Sequence, residues 1–430
     1  MAQTSAALAG LDRTFRISER GSTVRTEVVA GITTWLTMAY ILFVNPSILG
    51  LGGDGLPFGP VLSVTALAAG VMTIAMGLVA NYPFAIAAGL GLNAFVAYTL
   101  VGANGLSFPE AMGVIVAEGA LITVLVLTGL REAILNAIPM DLKRAIGIGI
   151  GAFIALIGLV NAGVVTNQGP TPLAIAPELT TWGVLVFVVG FVICSMLVAR
   201  RVRGALLIGI LASTVLAVIV NEWKGEAIWS NGVAAVPDRI VSTPDLSLVG
   251  DFSFGFVSAL GWATALAAVI SVMLSDFFDT MGTVIGIGGE AGLLDREGRL
   301  PGIKRVLLVD SLAAVVGGVT SSSSNTTYIE SASGVSEGGR TGLTAVVTGV
   351  LFLLAMFLSP IAGVIPPEAT APALVIVGYF MMTLVRDIDW SDPGIGIPAL
   401  VTILFMPFTY SIMNGVGAGF LAYVVIAVLR

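Results

Sequence analysis

Asp276 and Asp279 stand three residues apart in "SDFFDTMGT", a spacing that brings both carboxyls to one side of a helix. Two acids that close resist ionising together, so at least one is suited to taking up and releasing a proton. A third acid, Glu330, lies in "SSSSNTTYIESASG" (321–334), a polar stretch between apolar runs that end at Val319 and resume near Leu343. Glu118 and Asp310 also fall well inside apolar stretches, and no Lys, Arg or His shares those stretches with the acids. A charge at the centre of a bilayer costs about 2.5 to 3.5 kcal/mol on insertion scales, so five ionised acids against lipid would cost roughly 12 to 18 kcal/mol. The acids must therefore face a cavity, carry protons or cations, or hydrogen-bond as neutral groups. Glu118 and Asp310, each alone in its segment, read equally well as structural and as functional.

The elements that hold these acids are membrane helices. Of the 430 residues 57% are hydrophobic and 10% charged, and the mean hydropathy is +1.01, values that exclude a water-soluble globular chain of this length. Apolar stretches of the length a bilayer requires, about 20 residues, recur after residue 27, whereas the short alternating strands of a membrane barrel are absent. The first 26 residues carry Arg13, Arg16, Arg20 and Arg25 and no apolar leader. The lone Cys194 excludes an intrachain disulfide.

Counting gives an all-α polytopic membrane protein of about fourteen segments. With the N-terminus inside, all basic residues except Lys224 and Arg239 then fall inside, among them Arg131, Arg200, Arg201, Arg203, Arg296 and Arg340. Both termini are expected in the cytoplasm. The longest polar interruption, with Glu222, Glu226, Asp238, Asp245 and Asp251, follows the seventh segment. The expected organisation is a tail over 1–26, a first half over 27–221, an outer linker over 222–256 and a second half over 257–430. Seven crossings per half place a second half of like structure upside down, as in the inverted repeats of many secondary transporters. The third segment is interrupted by "GLGLN" (89–93) and the tenth by the polar stretch around Glu330, and such paired interruptions point to a central binding site. "GIGIG" (147–151) reads instead as close helix packing.

Other classes fit less well. An anion carrier of the same architecture would want buried cations, and the buried charges here are acidic. A cation or proton channel suits the acids but not the interrupted third segment. An intramembrane aspartic protease needs its two Asp on different helices.

"GLGLNAFVAY" (89–98), "SDFFDTMGTVIGI" (275–287), "TTYIESASGVSEGGRTGLTAVVTG" (326–349) and "TVRTEVVAGITTWLTMAYILFVNP" (23–46) resemble the AzgA-like branch of the nucleobase permeases, within the nucleobase cation symporter and xanthine-uracil permease superfamily. The resemblance covers essentially the whole chain. It implies fourteen segments in two inverted repeats, divided into core and gate domains, with short extended pieces in segments three and ten. It implies import of a purine base (adenine, guanine or hypoxanthine) with protons across the cytoplasmic membrane, with no other cofactor, no metal and no nucleic acid. It also implies that Asn93, Asp276, Asp279 and Glu330 line the site. Glu330 suits a ring N–H, with the hydroxyls of Thr326 and Thr327 close by, and Asp276 suits a second ring donor. Proton coupling falls to Asp279, Asp276 and Glu330, and Phe95, Phe277 or Phe278 offer a face for stacking. The chain departs from the family in reading "SSSSN" ahead of "YIES", which touches selectivity among purines. Related folds often dimerise through the gate domain, which offers a homodimer as the assembly.

Overall fold

The structure, a computed structural model, describes residues 10–129, 139–166, 173–224, 228–229, 233–237, 239–295 and 299–430, without the side chains of 52, 278 and 282. Arg131, Glu226, Asp238, Arg296 and the Phe278 side chain lie outside the described residues. The helices are α1 (Val24–Met38), α2 (Ile41–Leu49), α3 (Phe58–Ala75), α4 (Leu90–Ala94), α5 (Phe108–Thr128), α6 (Met140–Asn161), α7 (Trp182–Ala199) and α8 (Ala205–Lys224). After the polar connection come α9 (Trp262–Glu290), α10 (Ile303–Val319), α11 (Ser331–Ser336), α12 (Gly342–Ala355), α13 (Pro367–Met382), α14 (Pro393–Thr409) and α15 (Ile412–Leu429). Among the described residues there are also two short helices, Phe256–Leu260 and Ser359–Ala362, and four short strands: β1 (Ile86–Ala88), β2 (Val165–Thr166), β3 (Ala174–Ile175) and β4 (Asn325–Thr327).

Small polar residues mark where the helices begin. Thr23 caps α1, its hydroxyl accepting from the Thr26 N–H at 3.1 Å. Ser107 and Glu110 close a capping box ahead of α5, the Glu110 carboxylate accepting from the Ser107 N–H at 2.9 Å and from its hydroxyl at 2.7 Å. Asn81, left-handed at φ 56°, ends the helical run that starts at Phe58.

Among the described residues ten helical runs are long and apolar enough to cross a membrane, from Val24–Leu49 to Ile412–Leu429. The expected count was about fourteen, and the difference has a physical cause. Leu90–Ala103 and Pro393–Thr409 are apolar but shorter, and the chain around 86–88 and 325–327 is extended rather than helical. Short extended pieces are present where segments three and ten were expected, the first just ahead of "GLGLN" (89–93), whose residues from Leu90 are helical, and the second within the polar stretch. They pair antiparallel as β1 and β4, with Ile86 opposite Thr327, Ala87 opposite Thr326 and Ala88 opposite Asn325. Interior strands would leave backbone groups without partners, and side chains take up the remainder. The Thr73 hydroxyl accepts from the Ile86 N–H and donates to the Ile86 carbonyl, both at 2.9 Å. The Ser331 hydroxyl accepts from the Ala85 N–H at 2.9 Å, and the Tyr328 hydroxyl donates to the Ala88 carbonyl.

The helices sort into two packing groups. In the first, α3 and α1 lie on α12 while α10 and α9 lie on α5; in the second, α6 packs on α13 and α14, α7 on α8 and α13, and α14 on α15. Small residues allow the closest crossings. A Cβ on Gly70 of α3 would come within 2.9 Å of the Gly349 carbonyl of α12, and one on Gly119 of α5 within 2.6 Å of the Val315 amide of α10.

The first turn of α1 holds an acid outside the five singled out by sequence. Glu27 is fully buried, and its carboxylate accepts from the Arg340 N–H at 2.9 Å, the Thr341 N–H at 3.2 Å and the Thr344 hydroxyl at 2.6 Å. It thus occupies the N-terminus of α12, where unpaired N–H groups and the helix dipole favour an anion. Removing it orphans three buried donors, so Glu27→Ala should destabilise the protein by about 2–3 kcal/mol, and Glu27→Gln, which retains an acceptor, by about 1 kcal/mol. Thermal unfolding in detergent measures both, and an Ala variant that melts with the wild type would show that this cap contributes nothing.

Candidate functional site

Glu330 immediately precedes the six-residue α11, just after the strand that crosses the interior. The Tyr40 hydroxyl, at the joint between α1 and α2, donates to its Oε1 at 2.6 Å. Glu330 lines a cavity of about 300 Å3, together with Thr37 and Ser333 of its own packing group and Val198, Arg201–Leu206 and Phe380 of the other. That volume lies at the lower end of ligand pockets, about 300–1,000 Å3. Asp279 is accessible and lies within Coulombic reach of Glu330 and Asp310. A carboxylate held by a phenol on one oxygen and turned to a cavity can accept from a planar N–H donor.

Behind this wall is a second, dry polar cluster. Asp310 of α10 is 2% exposed; its Oδ2 accepts from the Thr280 hydroxyl at 2.6 Å, and its Oδ1 from the N–H and hydroxyl of Thr327 at 3.0 and 2.7 Å. The Thr280 and Thr326 hydroxyls are 2.7 Å apart. Thr326 and Thr327, read from sequence as substrate contacts, therefore have their hydroxyls engaged with Thr280 and Asp310. Both threonines are 1% exposed, and their immediate work is to fix β4 between α9 and α10.

The two aspartates of α9 part company. Three residues are about 300° of helix, so their side chains diverge by roughly 60°. Asp276 is 1% exposed and meets Glu118 of α5, while Asp279 faces Asp310 and Glu330. Asp276 thus has an acidic neighbour on a second helix, Glu118.

Asn93 is fully buried on α4, and neither its amide nitrogen nor its carbonyl oxygen has a partner among the described residues. Native interiors rarely tolerate that, so such an amide suits a ligand or an ordered water. Phe95 and Phe277, proposed for stacking, are 1% and 3% exposed. Phe95 belongs to the hydrophobic core, so its ring serves packing; the aromatic ring that lines the cavity is Phe380. The polar loop itself carries backbone strain, with Ser321 at φ 56° and Ser323 at φ 73°. Its Asn325 amide donates to the Ser322 hydroxyl at 3.2 Å.

Sequence reasoning missed Tyr40, Thr280 and Tyr328. A signal existed for Tyr40: a phenol within an apolar run needs a partner for its hydroxyl.

Comparison with known proteins places this architecture. The chain is 42% identical over 420 residues to adenine permease AdeP of Escherichia coli (strain K12), covering 97% of this chain and 90% of that one. It is 38% identical over 424 residues to guanine/hypoxanthine permease PbuG of Bacillus subtilis (strain 168), covering 97% and 93%. Among solved structures it is similar to the transmembrane domain of a cyanobacterium bicarbonate transporter, BicA, with a TM-score of 0.65 at 12% identity, covering 92% of this chain and 97% of that one. At that identity the likeness shows the fold alone. The Permease family Xan_ur_permease matches residues 25–417, and the chain belongs to it.

Proposed function

We propose that this permease imports purine nucleobases together with protons across the cytoplasmic membrane, by alternating access. The protein is a multi-pass membrane transporter of its family, not an enzyme. The observation that carries the purine reading is Glu330, a carboxylate braced by Tyr40 on the wall of a cavity between the two packing groups. The similarity to adenine permease AdeP and guanine/hypoxanthine permease PbuG supports it. In this reading Glu330 accepts from a ring N–H, and Asn93 offers both a donor and an acceptor to the purine edge. The accessible Asp279 exchanges protons with the cavity.

The packing supports fourteen crossings in two inverted repeats. The ten long runs are joined by the short helix over 90–103, by α10, by β4 with α11, and by α14. Numbered in that order, the second crossing packs on the eleventh and the ninth on the fourth; the sixth packs on the seventh and the thirteenth on the fourteenth. Each second contact of these pairs is the first shifted by seven, as two repeats of one fold require. The two packing groups would then be core and gate, with Glu330 on the core side of the seam. Arg203 of the gate side pairs with Glu337 of the core side. The cavity adjoins Arg201 and Arg203, which the positive-inside rule assigns to the cytoplasm along with both termini. The form described is then inward-facing.

Uptake of labelled adenine, guanine and hypoxanthine tests this reading in cells without purine permeases of their own, over about pH 5 to 8, a range in which a raised carboxylate titrates. Uptake of at least one purine is expected to rise with external acidity, to collapse with an uncoupler and to survive replacement of sodium. No uptake of any purine by protein present at the surface would sink it.

A further inference from the structure

Glu118 sits in the middle of α5, fully buried, and α5 packs against both α9 and α10. Its carboxyl is within hydrogen-bonding reach of Asp276 on α9, with Asp310 of α10 next in Coulombic range. Neither Glu118 oxygen receives a hydrogen bond from a hydroxyl, amide or cation among the described residues. Asp310, by contrast, accepts from Thr280 and Thr327 and is served as a carboxylate.

Ionised carboxylates have only acceptor oxygens, so a hydrogen bond between two of them contains a proton. Without one, two like charges would face each other away from water, with no buried cation among the described residues beside them. The geometry points to Glu118 and Asp276 sharing one proton, with Glu118 acting as a positioning residue that decides the protonation state in which Asp276 meets substrate. This rests on the purine-symport reading above. Loaded with one proton, held by Glu118, the pair leaves Asp276 an acceptor for a purine N–H; emptied of it, two like charges would face each other away from water, so the proton arrives and leaves with the purine. The proton comes from the outer solution with the purine and goes to the inner solution when the purine is released, so Glu118→Gln keeps the acceptor and loses the coupling.

Glu118→Gln tests the inference, since the amide keeps the length and a hydrogen bond to Asp276 but holds no titratable proton. The expected result is a flat dependence of uptake on external pH, with exchange of labelled for unlabelled purine preserved within about threefold, less than half of one tenfold step in free energy. A purely structural role would lower uptake and exchange together and leave the pH profile its shape. A second readout needs no transport: in purified wild-type protein near neutral pH, infrared spectra should show a protonated carboxyl carbonyl that Glu118→Gln removes and Glu118→Asp shifts. An unchanged pH profile in the Gln variant, or a carbonyl band indifferent to both substitutions, overturns the proposal. If the wild type carries no purine, the symport reading fails and the infrared result still decides whether the pair shares a proton. If the Gln variant does not fold, the Asp variant decides on the same band.

Discussion

Replacing Glu330 with Gln should lower purine uptake about 10- to 100-fold with the amount of protein in the membrane unchanged, because a hydrogen bond to a charged group contributes roughly 1.5–3 kcal/mol and each 1.4 kcal/mol is tenfold. The two side chains have the same shape, so folding should survive. Tyr40 can still donate to the amide oxygen as it now donates to Oε1 at 2.6 Å. That bond, however, fixes the orientation: with the oxygen turned to Tyr40, the amide NH2 is left facing the cavity. A purine ring N–H then meets a donor where it had met an acceptor, and both groups lose their partner. Tyr40→Phe should do less, about three- to tenfold, since it removes the brace but leaves the carboxylate, and a neutral donor contributes roughly 0.5–1.5 kcal/mol. Uptake kinetics, normalised to surface protein, separate the two. Wild-type uptake by Glu330→Gln would remove Glu330 from the substrate, whatever the cavity then holds.

Much of the frame could be read from residue types, and what escaped did so for definable reasons. "GLGLN" and "SSSSNTTYIES" stand out because polar and small residues are conspicuous within apolar runs; the second carries one of the short strands that cross the interior, and the other strand, 86–88, lies just ahead of the first. Their register depends on Thr73, Ser331 and Tyr328, which satisfy the strand ends from elsewhere in the chain. No local pattern announces such partners. Helical spacing places Asp276 and Asp279 on one side to within about 60°, yet that divergence is enough to give them different acidic neighbours. Which acid meets Glu118 and which faces Glu330 and Asp310 is decided by how the neighbouring helices pack, a tertiary fact. Phe95 and Phe277 are both buried, Phe95 in the hydrophobic core, as a phenylalanine in an apolar helix usually is. Glu27 went unnoticed because it lies at the edge of its segment among polar neighbours. Its role appears only when the N-terminus of α12 is brought beside it.

Asp310→Ala should be the most destabilising of these changes, by about 3–5 kcal/mol, because it leaves the Thr327 N–H and the Thr280 and Thr327 hydroxyls without an acceptor where no water reaches. The strand β4 would lose its attachment to α10, and Glu330, three residues beyond Thr327, would lose its fixed place on the cavity wall. Uptake and folded protein should therefore fall together. Asp310→Asn separates this clamp from a role in binding or proton transfer. Its amide oxygen can take over both bonds from Thr327, and its NH2 then points at the Thr280 hydroxyl, now 2.6 Å from Oδ2. Thr280 answers by turning its proton to Thr326, 2.7 Å away, so the network reverses direction without losing a bond. The Asn variant should accordingly fold with a loss of about 1 kcal/mol and retain measurable uptake. Were Asp310 itself the proton carrier, the same variant would fold normally and transport nothing against a gradient; thermal unfolding and uptake measured on the same preparation distinguish the two, since only a clamp predicts that stability and transport change in proportion.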